Sequence, residues 1–105
     1  MPGTARAETA DAFADGVREL VASIPPGHAL AYGDVAAMLG SRAARRVGAL
    51  MARSEGLPWW RVVRADGTLP PGLDERAARH WREERMPLAG SGTRIDLRRA
   101  RWDGR

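Results

Sequence analysis

The sequence predicts a mainly α domain with a small β hairpin, arranged as a helix-turn-helix followed by a wing. Three observations carry this. Apolar residues recur at helical spacing through most of the chain. A glycine turn at Gly40-Ser41 joins two of the expected helices, and the second of them bears Arg42, Arg45, Arg46 and Arg53. An Asp66-Gly67 pair then follows an extended run, which is a strong hairpin signal. A chain of 105 residues is expected to be one domain, with residues 1–9 unordered.

Phe13, Val17, Leu20, Val21 and Ile24 mark the first helix, with Thr9 or Asp11 as a suitable cap. Pro25-Pro26-Gly27 ends it in a tight turn. After the extended link His28-Ala29-Leu30-Ala31, a short helix is expected from Tyr32 to Leu39, with Ala31 a poor cap and Gly40 a stop. Ser41 is a good N-cap for a third helix from Arg42 to about Arg53. Ala43, Ala44, Val47, Leu50 and Met51 supply its buried stripe, and its arginines share one broad face at 100° per residue. Gly48 sits mid-helix, where it costs ~1 kcal/mol against Ala, and marks a close approach by something else. The plain alternative to a helix-turn-helix is a solvated Arg face on an ordinary helical hairpin.

The most distinctive stretch is Leu57-Pro58-Trp59-Trp60-Arg61-Val62-Val63. Pro58 fixes its own φ and pushes Leu57 out of the helical region, while the two valines favour extended chain. On an extended segment Trp59 and Trp60 point opposite ways, one inward and one toward a cavity or partner. The alternative is that both indoles are core. Val62-Val63, the Asp66-Gly67 turn and Leu69 make the expected hairpin, which Pro70-Pro71-Gly72 cuts short. From Leu73 to Arg85 a helix is expected, with Leu73, Ala77, Ala78 and Trp81 inward. Its alternating Asp74, Glu75, Glu83 and Glu84 against Arg76, Arg79, Arg82 and Arg85 read as a solvated, salt-bridged face. Thr93 to Leu97 alternates as a short strand. Arg98 to Trp102 is a basic tail with Trp102 as its anchor.

Composition narrows the chemistry. A hydrophobic share of 44% with 29% charged residues is globular. No apolar run approaches the ~18–20 residues of a membrane span, and the first residues lack a signal-peptide core, so a cytoplasmic, nucleoid-associated protein is expected. With no Cys, this chain has no disulfide, thiolate ligand or Cys nucleophile. His28 and His80 show no ligand spacing, and no phosphate-binding or dinucleotide motif is present; neither metal nor cofactor is expected. The net charge is +4, and all 17 basic residues are Arg. Guanidinium keeps its charge, forks onto phosphate and stacks on bases, so the expected partner is nucleic acid before membrane.

Four motifs in order carry a resemblance: Ile24-Pro25-Pro26-Gly27, Ala31-Tyr32-Gly33-Asp34-Val35-Ala36, Arg45-Arg46-Val47-Gly48 and Pro58-Trp59-Trp60-Arg61-Val62. From about Phe13 to Leu73 the chain resembles the DNA-binding domain of the O6-alkylguanine-DNA alkyltransferases, the C-terminal domain type of those enzymes. In that family a Pro-Cys-His-Arg motif holds the Cys that accepts the alkyl group. Trp59 stands at the Cys position, which is the mark of the alkyltransferase-like proteins, and the ending Gly90-Ser91-Gly92 through Arg101-Trp102 also looks like that subgroup.

The resemblance implies a third helix in the minor groove, with Arg45 replacing a base pushed out of the stack. Tyr32 would rotate the nucleotide by crowding its phosphate, and Ala44 and Gly48 would let the backbone come close. Arg42, Arg46 and Arg53 complete the expected DNA-binding set. Tyr32, Pro58, Trp59, Trp60 and Arg61 form the expected lesion pocket. Flipping a base costs a few kcal/mol, less for a damaged pair, and a stacking indole returns ~1–3 kcal/mol. The implied function is binding of O6-alkylguanine in duplex DNA without alkyl transfer, by a monomer that flags the lesion for nucleotide-excision repair proteins. The alternative is a winged-helix regulator without lesion specificity. Two departures from the family pattern stand out: Trp60 in place of His, and Arg46, which either reaches the DNA or hinders its approach.

Overall fold

The computed structural model describes the backbone of residues 2–105 and the side chains of residues 12–105. Helix α1 is Pro2–Ser23, strand β1 Leu30–Ala31, α2 Tyr32–Met38 and α3 Ala44–Arg53. A 3-10 turn at Trp59–Arg61 leads into β2, Val62–Val63. Then come α4, Leu73–Glu84, the strands β3, Leu88–Ala89, and β4, Arg94–Ile95, and α5, Leu97–Ala100. Thr9 and Asp11 fall inside α1 rather than at its start. The expectation about residues 1–9 lies outside the residues with described side chains.

The two-residue strands β1 and β2 pair in parallel, Leu30 with Val62 and Ala31 with Val63. Side chains alternate across a strand, so in-register pairs face the same way. Leu30 and Val62 join Val17, Val21, Ile24, Val35 and Val47 in one buried cluster. Ala31 and Val63 join Ala77, Trp81, Ile95 and Ala100 in the other. The small sheet thus separates a core under α1–α3 from a core under α4 and α5. Trp59 packs against both.

Several expectations need correction. Val62-Val63 pairs with β1, not with Leu69. The Asp66-Gly67 turn does form, with Arg64 N–H donating to Thr68 at 2.9 Å. Leu69 is then buried, and Pro70 and Pro71 have no N–H to extend a ladder. The antiparallel hairpin is instead β3–β4, with Leu88 opposite Ile95. Gly67, at φ 86°, lies directly against the Ile95 backbone and accepts its N–H at 2.9 Å. No larger residue fits there.

Helix α3 starts at Ala44, two residues later than expected, because Ser41 spends its hydroxyl on Ala43 N–H at 3.0 Å in the turn before it. The Thr93–Leu97 strand stops at Ile95. Asp96 accepts Arg98 N–H at 3.2 Å and caps α5. The basic tail is tied down: Ala29 N–H donates to Ala100 at 2.9 Å and Trp102 N–H to Ala29 at 3.0 Å. Among the described residues no helix is long and apolar enough to cross a membrane.

Candidate nucleic-acid interface

The two tryptophans do not sit on extended chain. Pro58, at φ −76° and ψ 70°, makes a γ-turn in which Trp59 N–H reaches Leu57 at 2.8 Å. Arg61 N–H then closes the 3-10 turn on Pro58 at 3.0 Å. The two indoles meet edge to face, 5.7 Å apart at 86°. Trp60 is held against α4: its ring stacks on His80 at 3.6 Å and 7°, and its Nε1–H donates to Glu84 at 2.7 Å. Trp81 Nε1–H donates to the Trp60 carbonyl at 2.8 Å.

Glu84 is not on a solvated face. Its carboxylate also accepts from Arg61 Nε at 3.0 and 3.1 Å and from Gly27 N–H at 3.1 Å. Arg61 reaches on to the Ile24 carbonyl at 2.8 Å. Both side chains are largely withdrawn from water, 14% exposed for Arg61 and 11% for Glu84. Burial by itself would raise the carboxyl; the donors from Arg61, Gly27 and Trp60 outweigh it and hold Glu84 below its ordinary value. This clamp ties the turn after α1, the tryptophan turn and the end of α4 into one rigid unit.

Beside the clamp lies a cleft of about 280 Å³. Tyr32, Gly48, Met51, Ala52 and Ser54 form one wall; Trp59, Leu69, Pro70, Leu73 and Arg76 form the other. Of the residues expected to make a pocket, Tyr32 and Trp59 line it. Pro58, Trp60 and Arg61 do not, because the γ-turn and the Glu84 clamp direct them elsewhere. Arg76 is exposed, as expected of the charged face of α4, and it also borders the cleft, with its guanidinium 5.7 Å from the Trp59 ring centre. Its position three residues into α4, just after the Pro70-Pro71-Gly72 turn that closes the cleft, is the only signal the sequence offers.

Tyr32 opens α2, whose first turn is fixed by Asp34. One Asp34 oxygen accepts Ala31 N–H at 2.8 Å and Arg101 Nε at 3.0 Å. Burial raises the Tyr32 phenol above its ordinary value, partly offset by Arg64. A Cβ on Gly48 would stand 3.9 Å from the Tyr32 ring, so Gly48 keeps this wall flat.

Arg42, Arg45, Arg46 and Arg53 are all exposed, while Ala44 is half-buried at the start of α3. By helical geometry Arg45 lies beside Gly48 and Ala52, on the cleft side. Arg46 lies on the opposite edge, with its guanidinium 4.6 Å from the Phe13 ring centre, packed toward α1. It therefore neither lines the cleft nor blocks it. Among the described residues no cluster of His, Asp and Glu could hold a metal.

A two-helix unit with an arginine face, opening on an indole-walled cleft, defines a domain built to meet DNA. Residues 12–86 match the family model for the DNA binding domain of 6-O-methylguanine DNA methyltransferase, and the chain belongs to that family. It is 43% identical over 110 residues to the DNA base-flipping protein of Escherichia coli, covering 98% of this chain and 84% of that protein. The Shigella flexneri protein of the same name gives the same figures. The fold is that of S. pombe Atl1, solved in complex with damaged DNA containing O6-carboxymethylguanine: TM-score 0.76, 26% identity, 89% of this chain and 96% of that one. A second S. pombe structure, of ATL with DNA, matches with TM-score 0.76 and 27% identity.

Proposed function

We propose that this chain binds O6-alkylguanine in duplex DNA, turns the damaged nucleotide into the cleft beside Trp59, and leaves the alkyl group in place. The observation that carries the reading is the half-exposed Trp59 ring forming one wall of a hollow next to the arginine-bearing α3. Its volume of about 280 Å³ is close to the lower end of small-ligand sites, ~300 Å³. The E. coli relative, named for base flipping, and the Atl1 complex with damaged DNA support it.

On this reading α3 enters the minor groove. Its small residues Ala44 and Gly48 permit close approach, Arg45 fills the vacated stack, and Arg42 and Arg53 meet phosphate. The cleft holds no activated nucleophile. The chain has no Cys, an indole has no lone pair to spare, the Ser54 hydroxyl donates to the Met51 carbonyl at 3.0 Å, and burial raises the Tyr32 phenol above its ordinary value. The consequence is grip without repair, which calls for hand-over to excision-repair proteins.

The test is a titration of matched duplexes with and without O6-methylguanine at physiological salt, repeated with Trp59→Ala. The wild type binds the damaged duplex more tightly, and the variant loses most of that margin. Equal affinities in the wild type refute the reading, and so does an alkyl label recovered on the protein.

A further inference from the structure

Arg76 is the cation of the cleft, and its surroundings leave its charge available. On α4, Arg79 pairs with Glu83 at 3.1 Å, and Glu84 is taken by Arg61, Trp60 and Gly27. The remaining α4 carboxylates, Asp74 and Glu75, stand two residues and one residue before Arg76, spacings that point away from it on a helix. Among the described residues, Arg76 makes no ion pair. Its guanidinium sits over Trp59, the ring against which a flipped purine would rest.

We propose that Arg76 makes the cleft selective for O6 adducts that end in an anion, so that carboxymethyl is preferred over a neutral adduct of the same size. This rests on the lesion reading above and adds the chemical class of the preferred substituent. Met51, Leu69, Pro70 and Leu73 form the apolar part of the wall, which discriminates little beyond size, and Tyr32 and Ser54 add neutral polar groups but no charge. A guanidinium pairs with a carboxylate through two parallel N–H donors, a match that no neutral alkyl group offers. A base filling the cleft also excludes water, which strengthens that pairing. Without such a cation, the extra negative charge brings no gain on a partner that is already a polyanion. Arg45, on the cleft side of α3, and Arg64, close enough to act on Tyr32, are the neighbouring cations, but neither lines the cleft as Arg76 does, and the experiment sets Arg76 against Arg64.

The probes are three otherwise identical duplexes carrying O6-methylguanine, O6-carboxymethylguanine or O6-carbamoylmethylguanine; the last two are near-isosteric and differ in charge. The proteins are the wild type, Arg76→Gln, Arg76→Lys and Arg64→Gln, each first checked for an unchanged unfolding midpoint. The wild type binds the carboxymethyl duplex about three- to tenfold more tightly than the carbamoylmethyl duplex, a ratio that shrinks as salt is added. Arg76→Gln brings the ratio to one whatever its effect on the overall affinity for O6-methylguanine, Arg76→Lys keeps part of the ratio, and Arg64→Gln keeps all of it. A wild-type ratio of one, or a ratio that survives Arg76→Gln, overturns the proposal while leaving lesion recognition intact. Failure to distinguish O6-methylguanine from guanine overturns the lesion reading, and this proposal falls with it.

Discussion

Trp60 donates its indole Nε1–H to the Glu84 carboxylate at 2.7 Å, across 24 residues of chain. The bond places an indole in a network whose other members, Arg61 and Gly27, hold the backbone around the cleft. Glu84→Gln leaves the Arg61 guanidinium without its counter-charge in a site 14% exposed. The expected loss is about 3–5 kcal/mol, as for breaking a buried pair from one side. It is read from denaturant midpoints. The pH dependence has a definite sign. A carboxyl held below its ordinary value of 4.5 stabilises the fold at every pH above that value, and the contribution fades as acid protonates Glu84. The wild type therefore loses stability as pH falls below about 4.5, and Glu84→Gln has a flatter acid limb.

Restoring a thiol is not enough to restore transfer. By resemblance, Trp59 occupies the alkyl-acceptor position and Trp60 that of the activating His. An indole N–H is a donor only, and this one is committed to Glu84. It cannot take a proton from a neighbouring thiol. Trp59→Cys is expected to acquire no alkyl group from O6-methylguanine DNA within hours. Trp59→Cys with Trp60→His is expected to acquire it measurably, because imidazole accepts the thiol proton while Glu84 orients it. Intact-protein mass spectrometry distinguishes the two.

What the sequence discloses, and what it withholds, follows from range. The helices are local objects, and their apolar spacing places α2, α3 and α4 to within two residues. The four short motifs place Tyr32, Gly48 and Trp59 around one site. The strands are only two residues long and pair across 32 positions of chain, Leu30 with Val62, so no local pattern announces them. For that reason the Asp66-Gly67 turn was legible while its hairpin was not. Glu84 looked like any other member of an alternating charged face. Only the return of α4 beneath the tryptophan turn shows that this carboxylate, unlike Glu83 one residue away, meets Arg61 and Trp60. Arg76 was hidden by the same pattern.

Arg45 and Arg53 separate two kinds of contact on one helix. Arg45 stands beside Gly48 at the cleft, whereas Arg53, the last residue of α3, does not line it and lies on the side of the helix with Arg46, Ala49 and Leu50. Arg53→Ala should weaken damaged and undamaged duplexes alike and lower the salt slope of binding by about one. Arg45→Ala should weaken the damaged duplex more than the undamaged one. It should also reduce the fluorescence rise of a 2-aminopurine placed at the flipped position. Equal effects of the two substitutions on both duplexes would show that Arg45 is a phosphate contact and nothing more.

Gly48 gives the cleanest separation of fold from function, because the two pull in opposite directions. An added Cβ meets nothing nearer than the Tyr32 ring at 3.9 Å, which is ordinary contact, and the backbone there is helical. Replacing a mid-helix glycine with alanine then removes unfolded-state entropy and stabilises the protein by about 0.5–1 kcal/mol. The same methyl group stands on the surface that must approach a groove wall. Gly48→Ala is thus expected to raise the denaturation midpoint while lowering affinity for O6-methylguanine DNA, and Gly48→Leu to lower that affinity further. If the alanine variant is stabilised and binds DNA as the wild type does, α3 does not present this face to the duplex. If it is destabilised, packing against Tyr32 is what keeps the position a glycine.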